Sequence, residues 1–145
     1  MKKFISCIML IIIVFSAVSI WTFAEDNPEV IPPERRASEL IDAISCSLVR
    51  NGRSLTASCT VRATYFADKI GVTSFSIQEK RNGDWVSVKS VKDSYCYDDI
   101  SYTGGLTYTG RKGYEYRAVA NFYVKDGSLT DTDSKTSSVR TIPNT

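Results

Sequence analysis

Ile44-Ser-Cys46-Ser-Leu48-Val-Arg-Asn51-Gly52-Arg-Ser-Leu55-Thr-Ala57-Ser-Cys59-Thr-Val61-Arg-Ala63 is the stretch that decides how this chain folds. Ile44, Cys46 and Leu48 alternate with Ser45, Ser47 and Val49. Beyond Asn51-Gly52 the alternation resumes, with Leu55, Ala57, Cys59, Val61 and Ala63 set against Ser54, Thr56, Ser58, Thr60 and Arg62. Side chains on a strand point alternately to opposite faces, so each arm carries one apolar face. Two such arms around Asn-Gly predict a β-hairpin. The opposite face is mostly Ser and Thr, which predicts that it meets water.

The register of this hairpin sets what its cysteines can do. A two-residue Asn51-Gly52 turn pairs Leu48 with Leu55 and leaves Cys46 diagonal to Cys59. A four-residue loop, Asn51 to Ser54, pairs Leu48 with Ala57 and brings Cys46 directly opposite Cys59. Either register puts both thiols on the inward face, close enough for a Cys46–Cys59 disulfide. The other reading is two reduced cysteines packed as small apolar residues.

Working outward, Val72, Phe75 and Ile77 lie on a strand ending at Arg81, and Asn82-Gly83 turns it into Trp85, Val86 and Val88. A two-residue turn pairs Lys80 with Trp85 and Ile77 with Val88. Lys92 to Asp99 reads as an irregular connection. Ile100 to Thr109 reads as a strand, with a bulge or bend at Gly104-Gly105. Tyr114, Tyr116, Ala118, Ala120, Phe122 and Val124 form the longest inward set. Asp126 to Asp133 reads as a loop and Ser134 to Ile142 as a last edge strand. Upstream, Ser38 to Ile44 fits strand entry better than a helical turn. These segments predict an all-β domain, a single antiparallel sandwich of about seven strands of the Ig-like or fibronectin type.

The beginning of the chain has a different character. Lys2 and Lys3 precede an apolar run from Phe4 to Ile20, and Thr22-Phe23-Ala24 offers small residues before Glu25. This is the layout of a secretory signal peptide, residues 1–24; the alternative is an uncleaved membrane anchor. Residues 25–37, with Pro28, Pro32 and Pro33, read as a linker, and 38–143 as the sandwich domain. No sorting pattern marks Thr141 to Thr145. Export is therefore expected, to the extracellular space or the cell envelope, with no membrane attachment after cleavage.

The chain has 18 Lys and Arg against 16 Asp and Glu. Loss of the two leader lysines leaves the mature domain near neutrality, which argues against nucleic acid as a partner. Three cysteines remain beyond the leader, Cys46, Cys59 and Cys96, an odd number that leaves one thiol over.

Several short motifs, Arg36-Ala37-Ser38, Ile70-Gly71, Asn82-Gly83 with Trp85, and Tyr108-x-Gly110-x-x-Gly113-x-x-Tyr116 followed by Thr136, resemble a family of small secreted proteins of Gram-positive bacteria. Its function is unknown. The resemblance spans most of residues 35–140 and implies export and a compact Ig-like or fibronectin type III-like β domain; it implies no activity. The three cysteines depart from the family's usual pattern. The Gly-x-x-Tyr step also looks like the tyrosine corner of Greek-key sandwiches, in which a hydroxyl bonds back to the preceding connection. Tyr116 fits that role better than Tyr114.

The chain has no histidine, so Ser-His-Asp and Cys-His catalysis and His-ligated metals are excluded. Asp98-Asp99 as half of a glycosidase pair competes with a solvated turn, and Asp126, Asp131 and Asp133 depart from calcium-loop spacing. No cofactor and no metal site is expected. Tyrosine is the conspicuous excess. Tyr95, Tyr97, Tyr102 and Tyr108 sit in or near a loop-rich stretch, where aromatic faces beside hydrogen-bonding groups suit an extracellular protein or glycan. They are equally good strand residues. Trp85 is either an exposed anchor or folded over the sandwich edge. The leading expectation is a non-catalytic binding or interaction module. The alternatives are a small secreted enzyme or toxin using carboxylates or a free thiol, and a structural component of the envelope.

Overall fold

The structure, a computed structural model, describes residues 39–145; the leader, the linker and Ser38 lie outside the described residues. Within them the chain is all-β and every strand pairing is antiparallel. The strands are β1 (Ile41–Asn51), β2 (Ser54–Arg81), β3 (Asp84–Thr109), β4 (Glu115–Asp126), β5 (Leu129–Thr136) and β6 (Arg140–Thr141).

Two of these strands are long. β2 runs for 28 residues and β3 for 26, and both cross from one layer of the domain to the other. In the first layer, residues 54–62 of β2 lie between β1 and residues 101–109 of β3. In the second, residues 69–79 lie between the first half of β3 and β4, and β5 extends β4. The crossing falls where pairing jumps from Arg62↔Ser101 to Ala67↔Asp99. The extra residues 63–66 on β2 bend the strand and let the sheet fold over itself. Six strands are present among the described residues instead of about seven, because each long strand serves both layers without a break.

The opening hairpin has the second of the two expected registers, but through a two-residue Gly52-Arg53 turn, with Asn51 and Ser54 closing the ladder instead of lying in a four-residue loop. Asn51 pairs with Ser54, Leu48 with Ala57 and Cys46 with Cys59. In the second hairpin Asn82 and Gly83 both have positive φ, 51° and 93°, the backbone that Asn-Gly accepts most readily. Lys80 faces Trp85 as expected, but Ile77 pairs with Lys89 because a bulge intervenes between Ile77 and Gln78. The supposed irregular connection at 92–99 is strand, kinked at Asp93 and Asp98, whose φ values are 51° and 52°. Gly104-Gly105 causes no bulge: Cys59↔Gly104 and Ser58↔Gly105 are in register. A Cβ on Gly104 would sit 3.1 Å from the Cys59 sulfur, so glycine there makes room for the thiol. The expected loop from Asp126 shrinks to a two-residue turn, since β5 starts at Leu129. The expected last strand is divided between β5 and β6.

The two inward faces meet in one core that includes Leu48, Leu55, Val61, Phe75, Ile77 and Phe122. Burying each such side chain contributes ~1.5–3 kcal/mol. A further shift, between Val72 and Ser74, explains an odd spacing in the sequence. It allows Val72 and Phe75, three residues apart, both to face inward.

Candidate functional site

Alternation along β3 separates the four candidate tyrosines. Tyr102 and Tyr108 point inward. Tyr102 is 8% exposed, and Tyr108 packs beside Tyr116 with ring centroids 6.1 Å apart. Both belong to the core and not to a shared binding surface. Tyr95 and Tyr97 point outward, onto the solvent face of the second layer, and Tyr97 is 66% exposed.

There Tyr95 meets two residues that no sequence argument singled out. Gly71 pairs with Tyr95 on one side and Tyr123 on the other. A Cβ on Gly71 would come within 2.7 Å of the Tyr95 Cα, so its absence allows β3 to approach. With nothing between them, the Tyr95 and Tyr123 rings meet edge to face, centroids 5.8 Å apart at 71°. Lys69 lays its Nζ 3.9 Å from the centre of the Tyr95 ring and 5.6 Å from that of Tyr123, a cation on an aromatic pair. The Tyr95 hydroxyl donates to Asp93 Oδ1 at 3.1 Å. Partial burial, then the bond and charge of Asp93, push the phenol pKa up, so it remains a donor. Tyr97 stands one rung further on, opposite Lys69. Tyr123 was legible in principle: it has the opposite parity to the inward Phe122 and Val124.

Farther along the same face the surface is hydroxyl and amide: Asn121 donates to Ser74 Oγ at 2.7 Å, with Ser76, Ser90 and Ser134 nearby in the ladder. At the far end Trp85 lies 4.4 Å from the Arg117 guanidinium and 5.9 Å from Lys80 Nζ. Trp85 therefore lies on the sheet face, half-buried, and is not folded over an edge. From Tyr123 to Arg117 the strip is roughly 20 Å long at ~3.3 Å per residue.

A second cluster is structural. Tyr116 accepts a hydrogen bond from the Arg111 N–H at 2.8 Å, forming the tyrosine corner, and donates to Glu79 Oε2 at 2.5 Å. Glu79 is fully buried, and its other oxygen is held by Arg81 Nε at 2.6 Å and Arg111 at 3.1 Å. Burial alone would raise its pKa. The Tyr116 hydroxyl and the two arginines more than offset that, so the carboxyl titrates below its ordinary value. Burial first, then Glu79, pushes the Tyr116 phenol up to about 12. Glu79 continues the inward parity of Phe75 and Ile77, a signal for a buried carboxylate that composition hides.

Cys46, Cys59 and Cys96 are free thiols. Burial raises the pKa of Cys46 and takes that of Cys59 to about 11. The Leu48 carbonyl accepts from Arg140 Nε at 3.0 Å, so it points away from β2. Leu48↔Ala57 is then a non-hydrogen-bonded pair, and so is Cys46↔Cys59 two residues along. Such pairs hold Cα atoms ~4.5 Å apart, within the reach of a disulfide.

The carboxylates do not converge. Asp99 Oδ1 accepts the N–H groups of Ile100 and Ser101, as a turn residue does. Asp133 caps Ser134, while Asp131 is buried and accepts the Ile41 N–H at 3.4 Å. Among the described residues no group of three or more Cys, Asp or Glu is placed to hold a metal ion.

No family model matches the chain, and no curated protein matches it. Among solved structures it is similar to Spo0M, a sporulation control protein from Bacillus subtilis, at 10% identity and a TM-score of 0.38, covering 64% of this chain and 46% of that one. The chain thus spans about half the length of that protein. It is also similar to an FN3 structure, the FN3tt mutant, at 10% identity and a TM-score of 0.31, covering 72% and 94%.

Proposed function

We propose that the protein is an exported, non-catalytic binding module, and that its contact surface is the outer face of the second layer. The observation that carries this reading is the Lys69–Tyr95–Tyr123 cluster, with the exposed Tyr97 beside it, at the head of a strip of short hydroxyl and amide side chains. Aromatic rings seat the apolar faces of a ligand, and Ser, Thr and Asn supply hydrogen bonds at small entropic cost. A polyhydroxylated chain fits that combination best, so the ligand class is a glycan of the cell surface. The signal-peptide layout and the resemblance of several short motifs to small secreted Gram-positive proteins support export, and the Ig-like or fibronectin type of sandwich is the natural scaffold for such a face.

The test is titration of purified protein against a panel of defined soluble polysaccharides, followed by Tyr97→Ala and Tyr123→Ala. Saturable binding that weakens at least about tenfold in either variant is expected, the loss of one stacked ring. Tyr102→Phe should bind as the wild type does. Binding that ignores both outward tyrosines, or no binding to any polysaccharide, would overturn the reading.

A further inference from the structure

The domain is nearly neutral in sum but not in space. At one end the bulge at 63–66, the kink at Asp98–Asp99 and the turn after Asp126 come together, as the Gly127 N–H donating to Asp68 Oδ2 at 2.7 Å and the Ala67↔Asp99 pairing show. Arg62 is spent on Asp42 at 3.2 Å and Lys69 on its tyrosines. Asp68, Asp98, Asp99 and Asp126 remain, with Lys125 against them. Out of this acidic rim stand two adjacent rings, Tyr65 at 72% and Phe66 at 70% exposure. Neighbours on a regular strand face opposite ways; here the bulge turns both to water, where an unpartnered phenylalanine is costly.

At the other end are the turns of both hairpins and the β3–β4 connection, tied by Gly110 N–H to the Arg53 carbonyl at 2.9 Å. Glu79 absorbs part of the charge of Arg81 and Arg111, and Lys80 pairs with Glu115 at 2.9 Å. Arg50, Arg53 and Lys112 are exposed with no carboxylate partner among the described residues, and Asp84 is the nearby counter-charge in the second turn. Arg50, Arg53 and Lys112 line a cleft of about 270 Å³ together with Gly52, Ile142, Pro143 and Thr145, and Arg53 Nε donates to the Gly110 carbonyl at 3.2 Å.

We infer that the acidic aromatic end of one copy docks in the basic cleft of another. The charges are opposite, and phenyl and phenol faces against guanidinium groups make cation–π contacts. Because the two surfaces differ, the contact is head to tail. It leaves a free end on each partner and extends into open chains. Two aromatic anchors of ~150–250 Å² each make this a small interface that operates at high local concentration.

Sedimentation of the purified protein over a concentration series tests this. The average mass should climb past that of a dimer without a plateau. The apparent association constant should fall at least about tenfold from low salt to ~1 M, where charges are screened within ~3 Å. Tyr65→Ser/Phe66→Ser and Arg50→Glu/Lys112→Glu should each be monomeric with wild-type melting curves, and mixing the two should give a one-to-one dimer that grows no further. A wild-type protein monomeric at every concentration, a dimer that stops there, or a mixture that stays monomeric would overturn the inference. If one variant melts early, the salt series decides alone: mass insensitive to salt counts against it. Polysaccharide binding by the outer face is read separately, since neither double variant touches it.

Discussion

The two ends of the domain handle awkward residues in opposite ways. At the basic end a carboxylate lies fully buried, and every charge or hydroxyl around it is paired: Glu79 with Tyr116, Arg81 and Arg111. At the acidic end two large aromatic rings lie in water while the carboxylates beside them serve as turn caps. A buried charge is tolerated only when its neighbours compensate it, so the first end is a closed network in which each part needs the others. The exposed rings find no cover within the chain, which leaves the second end open to a partner. The contrast puts the buried ionic network at one pole and the exposed rings at the other; the inferred contact joins those rings to the cleft beside the network of the next copy.

The largest expected break in that contrast is Glu79→Ala. It leaves the buried Tyr116 hydroxyl without its acceptor and opens a cavity, while Arg81 and Arg111, 40% and 51% exposed, stay hydrated; a loss of ~3 kcal/mol is expected by chemical denaturation. Next is the Cys46–Cys59 pair. Oxidation with a low-molecular-weight disulfide should form a bridge, seen as a loss of two hydrogens in intact mass, and raise stability by ~2–3 kcal/mol. Tyr116→Phe keeps the ring and removes the hydroxyl shared by Glu79 and the Arg111 N–H, which should cost ~1–3 kcal/mol. At the opposite pole, Tyr65→Ser/Phe66→Ser should shift stability by no more than ~0.5 kcal/mol per site, as exposed positions do. Comparable losses from the two poles would erase the contrast.

pH should sharpen it. The folded pKa of Glu79 is depressed, so its contribution is complete above the ordinary value of 4.5 and is lost as pH falls through the lower folded pKa. Tyr116 and Cys59 have raised folded values, about 12 and about 11, against ordinary values of 10.0 and 9.0. Their contributions are complete below the ordinary values and fade as pH climbs through the raised ones. Melting temperature against pH should therefore drop at both extremes, and in Glu79→Gln the acid limb should flatten.

Much of the fold was readable along the chain. Period-two alternation is local, so the arms of the first hairpin and the inward set of β4 could be placed from side-chain order alone, whereas the entry at Ile41, irregular in register, only leaned toward strand. Asn82-Gly83 named its own turn because few residues accept positive φ there. The Gly-x-x-Tyr step pointed to the corner hydroxyl at Tyr116. Reading failed where tertiary packing overrode local polarity. Residues 92–99 look like a loop, yet β2 supplies a continuous partner and holds them as strand. Gly104 looks like a bend, yet it is small because a thiol lies across from it. Of the four tyrosines proposed to act together, the alternation of β3 sends two inward, and the partners of the outward Tyr95, Lys69 and Tyr123, come from strands far apart in the sequence.

Sequence by itself determined that this chain forms antiparallel strands with one apolar face, because side-chain direction on a strand is set by position and not by neighbours. It also determined that histidine-based chemistry is absent and that the net charge is close to zero. Only the tertiary structure decided where those charges go. Residues at 50, 53 and 112 reach one pole and those at 68, 98 and 126 the other because the two long strands double back where they cross between layers, so bends gather at one end and hairpin turns at the other. A sum over the chain cancels what the fold keeps apart.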